Sequence, residues 1–250
     1  MLLRDEGDRV LAIGQASHAW ISGQLARAWG NERFPRPQPY EEVCLAAEQH
    51  DVGMAMWDLD PARNPDSGLP YSFMEMPLPV HLALWTAAPE RLLSQSRLAA
   101  VLVSMHGWRL YRRRKLDELP ADQAESVRAY LDAQVAFREQ LAEGFNDHDL
   151  ELASQLIWTW DFLSLAICLA WSGRTARDVP TVDGTVDMEI TGVGDRRVQL
   201  EPWPFETNAL TVRCEARRLA GRYETDEGLR AALSSASWET LELELLATSA

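Results

Sequence analysis

Apolar residues recur along this chain with two different periods, and the period sets the expected elements. Residues 2–13 (LLR-DEGD-RVLAI) alternate around Gly7 and predict a short β-hairpin. From there to about residue 173 the spacing is helical. A first helix is predicted over about 15–29, with Ala16, Ala19, Gly23 and Ala26 on a close-packing side, and the prolines of NERFPRPQP end it. A second covers about 40–57, where Val43, Ala46, Ala47, His50, Met54 and Trp57 fall at spacings of three and four. Residues 59–79 carry five prolines, Gly68 and no period, which marks a binding loop or lid. Further helices are predicted near 80–87, 96–114, 121–142 and 149–172, the last capped by Asn146 or Asp147.

The texture changes after Asp178. Residues 185–216 alternate (TVDMEITG, RRVQLEP, ALTVRCEA), a short helical stretch follows at 226–235, and WETLELELL alternates again. That is an antiparallel pattern with one apolar face. The expectation is a mainly α protein: a helical domain over 1–175 that begins with the hairpin, and a small antiparallel β appendage over 180–250 packed on it.

Composition narrows the classes. With 46% apolar and 25% charged residues in 250, the chain can bury a real core, and disorder is not expected. A formal charge of −14 argues against nucleic-acid polymers and anionic membranes, since phosphate repels a net acidic surface. A small-molecule substrate is expected, with a homo-oligomer left open. Cys44, Cys168 and Cys214 suggest neither a disulfide framework nor a zinc knuckle and fit a reducing compartment. No signal peptide is read at the start, and LSLAICLAW is too short for a membrane span, so a cytoplasmic protein is expected.

The chemistry lies in the histidines. Four of the five, with two aspartates, fall in the order His18, His50-Asp51, His81, His106, Asp161, and such a set suits two divalent ions. His148 in FNDHDLE reads as an ordinary surface residue. Asp161 stands between Trp160 and Phe162 in the most apolar helix, with no lysine or arginine within a helical turn. An uncompensated carboxylate there would cost several kcal/mol, and a metal is the natural partner. Adjacent His50 and Asp51 on a helix would diverge by about 100°, letting one side chain bind an ion while the other turns to a second. Gly53 would admit a close neighbour, either another chain segment or a ligand.

These blocks, QASHAWISGQLARAWG, EQHDVGMAMWD, VSMHGWRL and DFLSL, resemble the HD-domain superfamily of metal-dependent enzymes in its binuclear branches, and an uncharacterised bacterial family of HD-like proteins. The resemblance covers about residues 10–173 and implies an HD-domain-like helical bundle. It implies that His18, His50 and Asp161 bind one ion and His81 and His106 the other, with Asp51 bridging. The ions would be Fe, Mn, Zn, Co or Ni. It further implies a phosphohydrolase acting on a small phosphoester or nucleotide. A mixed-valent diiron oxygenase acting on an alcohol or phosphonate and a non-catalytic metal-binding module are the alternatives. Met54 stands where many members carry lysine, and Arg109 is the cation expected to anchor an anionic substrate. Asp51 and Arg109 are thus the catalytic candidates, and Arg63, Asn64 and Tyr71 the loop's candidate substrate contacts. Trp20, Trp57, Tyr71 and Trp85 are candidate pocket aromatics.

Overall fold

The computed structural model describes residues 1–141, 143–194 and 196–248. The hairpin at the start is formed by β1 (Leu2–Asp5) and β2 (Val10–Ile13), with Gly7 turning at a φ of 86°. Helices α1 (Gln15–Ala28), α2 (Tyr40–Gln49), α3 (Ala55–Leu59), α4 (Leu78–Ala87), α5 (Arg97–Arg112), α6 (Ala121–Leu141) and α7 (Asp147–Cys168) follow. Strands β3 (Arg174–Thr181), β4 (Gly184–Gly192), β5 (Arg197–Glu201) and β6 (Ala209–Leu219) come next, then α8 (Asp226–Ser235) and β7 (Trp238–Ala247). Asn146 caps α7 by accepting from the backbone N–H groups of His148 and Asp149.

All seven strands belong to one curled sheet, in the order β1-β2-β6-β7-β5-β4-β3. Neighbours are antiparallel except β5 and β7, which run parallel. The sheet therefore takes in the opening hairpin, through the pairing of Val10–Ile13 with Ala216–Leu219. This corrects the mainly α expectation. Helix accounts for 48% of the residues and strand for 22%, and the sheet is mixed rather than antiparallel, so the architecture is α/β. Alternation revealed the strands, but pairing between residues two hundred positions apart leaves no trace in a local period.

Side-chain alternation gives the sheet its inner face. Val212, Cys214 and Ala216 of β6 and Leu241, Leu243 and Leu245 of β7 are buried, while Arg213 and Glu242 pair across the outer face. Leu25, Val43, Val101 and Trp160, from α1, α2, α5 and α7, join that inner face in one core. A smaller cluster, with Met54, Trp85, Tyr111 and Tyr130, knits α4, α5 and α6 together. Leu229 and Leu233 of α8 cover Met1, Ala12 and Leu219 in a third cluster. Among the described residues no helix is long and apolar enough to cross a membrane.

The predicted second helix is interrupted. It ends at Gln49, His50 caps it, and a 3₁₀ turn at Val52–Met54 precedes α3. Gly53 permits this turn: a Cβ there would penetrate the Leu84 carbonyl and lie 3.0 Å from Ala88 Cβ. Its close neighbour is thus the end of α4, and no ligand is involved.

Candidate metal centre

Four helices and one turn bring the site together. His18 comes from the first turn of α1, His50 from the end of α2 and Asp51 from the turn that follows. His106 comes from α5 and Asp161 from α7. His18 and His50 are fully buried, and Asp51 and His106 nearly so. Asp51 has left the helix, with φ −102° and ψ 19°, so the break in the backbone aims its carboxylate inward rather than the 100° step of a helix.

Hydrogen bonds outside the cluster fix the imidazoles. Ser164 Oγ donates to the Asp161 carbonyl at 2.8 Å, so it accepts from His18 Nδ1–H at 2.9 Å. His50 Nδ1–H donates to the Ala47 carbonyl at 2.8 Å. In both rings Nε2 is therefore the atom turned to the carboxylates, the arrangement by which outer partners orient histidine ligands. His18 Nε2 lies 2.6 Å from Asp51 Oδ2. His50 Nε2 lies 3.3 Å from Asp161 Oδ1 and 3.7 Å from Asp51 Oδ2, and His106 Nε2 3.5 Å from Asp161 Oδ2. Among the described residues neither carboxylate has a lysine or arginine partner.

The electrostatics follow from burial against charge. Burial opposes the charged form of His50, but Asp51 and Asp161 outweigh it and hold the imidazole up at about 9. Burial likewise opposes ionised Asp51, and His50 and His18 overcome it, keeping the group below the usual carboxylate range. Asp161 is lowered in the same way, against burial, chiefly by His50. Burial dominates at His106 and pushes it down to about 4, which leaves it a neutral donor at pH 7.

Among the described residues two groups of side chains could hold a metal ion: His18, His50 and Asp51, and His50, His106 and Asp161. Donors about 2.1 Å from one ion lie at most about 4.2 Å apart, and the His50–Asp161, His50–Asp51 and His106–Asp161 separations above meet that limit. His50 Nε2 is buried without a hydrogen-bond partner, as expected of an atom awaiting a ligand; at His106 the unpaired atom is Nδ1, while Nε2 faces Asp161. The His18–Asp51 pair would have to open, since two ligands of one ion stand farther apart than a hydrogen bond.

His81 is not in either group. Its Nε2 accepts from Trp85 Nε1–H at 3.2 Å, its Nδ1 faces the Tyr111 hydroxyl, and burial lowers it to about 4. It lines the same cavity as the cluster and positions Trp85, and the expected pairing of His81 with His106 does not appear among the donor groups of the described residues. Arg109 lies outside the cavity, bonded to Gln155 and Glu151, which corrects its placement as substrate anchor; Arg114 lines the cavity instead.

The cavity measures about 270 Å³ and is walled by Phe73, Met74, Leu110 and Leu165 around the cluster. Of the loop's expected contacts, Arg63, Asn64 and Tyr71 are absent from its lining. Arg63 N–H donates to Asp226, Asn64 donates to Glu75, and Tyr71 N–H donates to the Ala62 carbonyl. The loop packs against residues 223–226 and sends Phe73 and Met74 to the cavity. Of the aromatics only Trp85 lines it; Trp20 is exposed, and Trp57 packs with Met54 in the second cluster. Pattern reading also missed Ser164, Gln15 and Arg114. Ser164 lies three residues beyond Asp161, where a helix returns to nearly the same face, and that spacing was the available signal.

Fold and site define an α/β protein with a buried His–Asp cluster of metal-ligand type. The chain belongs to the family described as protein of unknown function, DUF3891, whose profile matches residues 1–221. No curated protein and no solved structure matches it. The match corrects the resemblance to the HD-domain superfamily and to HD-like bacterial proteins. The matched segment runs from β1 through β6 and leaves α8 and β7 outside the match.

Proposed function

We propose that this protein is a metal-dependent hydrolase of a small phosphoester, built on one divalent ion at His50, the residue shared by the donor groups His18–His50–Asp51 and His50–His106–Asp161, which would draw together around it. The observation that carries the reading is His50 Nε2, buried, without a hydrogen-bond partner, and facing two carboxylates. One ion is favoured over two because both donor groups contain His50, and an imidazole nitrogen offers a single lone pair. A two-iron oxygenase would in addition need His81 to release Trp85 or Tyr111. The imidazole and carboxylate donors suit Fe, Mn, Zn, Co or Ni.

When bound, the ion supplies Lewis-acid chemistry that activates water and polarises an ester oxygen. The chain's own residues do the rest. The Ala47 carbonyl and Ser164 keep His50 and His18 in their ligand tautomers. Phe73, Leu110 and Leu165 restrict water, and Arg114 supplies a guanidinium for an anionic group. A cavity of about 270 Å³ limits the substrate to a small molecule.

The test is metal content by elemental analysis, then phosphate release from chromogenic monoesters and cyclic nucleotides with each of those metals. Metal-dependent release that is lost in a folded Asp161→Asn variant is expected. A protein that binds the ion but turns over none of these substrates would refute the hydrolase; one that binds no ion would refute the centre itself.

A further inference from the structure

A concavity larger than the one at the His–Asp cluster lies apart from it. It is a groove of about 650 Å³ between α5, α6 and α7, and it gathers Arg109, Arg112, Arg113 and Arg138 in a chain of net charge −14. Elsewhere some arginines pair with acids, as in Arg27–Glu48, Arg36–Glu206, Arg177–Asp187, Arg197–Glu244 and Arg230–Asp60, while others, such as Arg97 and Arg128, stand apart from one another. In the groove only Arg109 has such a partner among the described residues, the exposed Glu151. The other three are held by aromatic faces. Arg112 lies 4.8 Å and Arg138 5.0 Å from the centre of the Trp108 ring, and Arg113 4.4 Å from that of Trp158.

Stacking of this kind fixes a guanidinium plane without using its N–H donors. Two further groups lack partners. Arg138 Nη1 is buried without an acceptor, and so is the hydroxyl of Ser154, a lining residue only 1% exposed. Arranging like charges and stranding donors is unfavourable unless an anion completes the set.

We propose that this groove is a second ligand site, separate from the metal centre, which binds a phosphate-bearing small molecule through Arg112, Arg113, Arg138 and Ser154. The planar N–H edges match phosphate oxygens, and Trp108 already carries two guanidinium groups, so recognition falls on the phosphate groups rather than on a stacked ring. Glu151, being exposed, swings away from Arg109 as the anion enters.

The experiment is calorimetric titration of chelator-treated, dialysed protein with pyrophosphate and with inorganic phosphate, so that no ion at the His–Asp cluster contributes. Saturable binding is expected, weakened at least tenfold in Arg112→Gln/Arg138→Gln and unchanged in Asp161→Asn, a tenfold loss being about 1.4 kcal/mol. Ser154→Ala and the exposed Arg112→Gln alone serve if the double variant fails to fold, and each should weaken binding. No saturation by pyrophosphate at millimolar concentration would overturn the proposal. So would equal binding by the arginine variants, or loss only in Asp161→Asn. None of these outcomes bears on whether the cluster binds metal, so this site and the proposed hydrolase fail separately.

Discussion

Replacing Gly53 by alanine tests how the His50–Asp51 turn is held. The glycine lies in the 3₁₀ turn Val52–Met54, against the last turn of α4. Its φ is not positive, so alanine meets no backbone strain and would by itself stabilise by about 0.4–1 kcal/mol through the unfolded chain. Against that stands the added Cβ, which would penetrate the Leu84 carbonyl and press on Ala88 Cβ at 3.0 Å. A backbone oxygen cannot rotate away, so α4 must move, and overpacking of this kind costs about 1–3 kcal/mol. The clash wins, and the net loss should be about 1–2 kcal/mol, or about 2–8 °C in melting temperature for a chain of this size. Gly192→Ala is the control, because a Cβ there meets only Ser172 at an ordinary 3.6 Å. Urea unfolding of both variants beside wild type reads the difference. Equal midpoints for the two would refute the packing of α4 on the turn.

Three other outcomes follow from the cluster and its surroundings. Purified protein should take up one transition-metal ion per chain, His50→Ala and Asp161→Asn should lose it, and His81→Ala should keep it; loss in His81→Ala by elemental analysis would restore that residue as a ligand. Ser164→Ala should weaken metal affinity about tenfold to a hundredfold by freeing the His18 ring, measured by chelator competition, and unchanged affinity would dismiss the orienting role. In the metal-free protein the stability that His50 gains from its carboxylates should be fully present below 6.5 and be lost as pH rises through about 9, because its folded value is raised. Metal affinity should rise over the same interval as that proton leaves, and a flat profile between pH 7 and 9 in both measurements would contradict the assignment.

Much of the local structure was legible, and the reason is that it is local. Gly7 between alternating residues gives the hairpin, and the three-and-four spacing of Val43, Ala46 and Ala47 gives α2. What stayed hidden depends on distant partners. Alternation in TVDMEITG or LELELL says that one face is buried but not against which strand. Val10–Ile13 and Ala216–Leu219 pair across two hundred residues, and Arg197–Leu200 run parallel to Glu244–Ala247 although nothing in either segment encodes direction. The mainly α expectation failed there, because the hairpin was counted with the helices when it is the rim of the sheet.

The site divides in the same way. Asp161 was readable alone, because a carboxylate between Trp160 and Phe162 must be compensated, and among the described residues it is imidazoles that stand against it. The order of the histidines could not say which of them share an ion, since that depends on what else each ring touches. His81 and His106 look alike in sequence, each a lone imidazole in an apolar helix. What separates them is that Trp85 and Tyr111 occupy both nitrogens of His81, while His106 Nδ1 has no partner and Nε2 faces Asp161. Arg109 and Arg114 divide likewise, for α5 ends at Arg112 and the chain that leaves it carries Arg114, not Arg109, to the cavity. The atoms that remain unsatisfied after the fold has made its own hydrogen bonds are the first that an ion would meet, and His50 Nε2, facing both carboxylates, is the one on which the proposed centre turns.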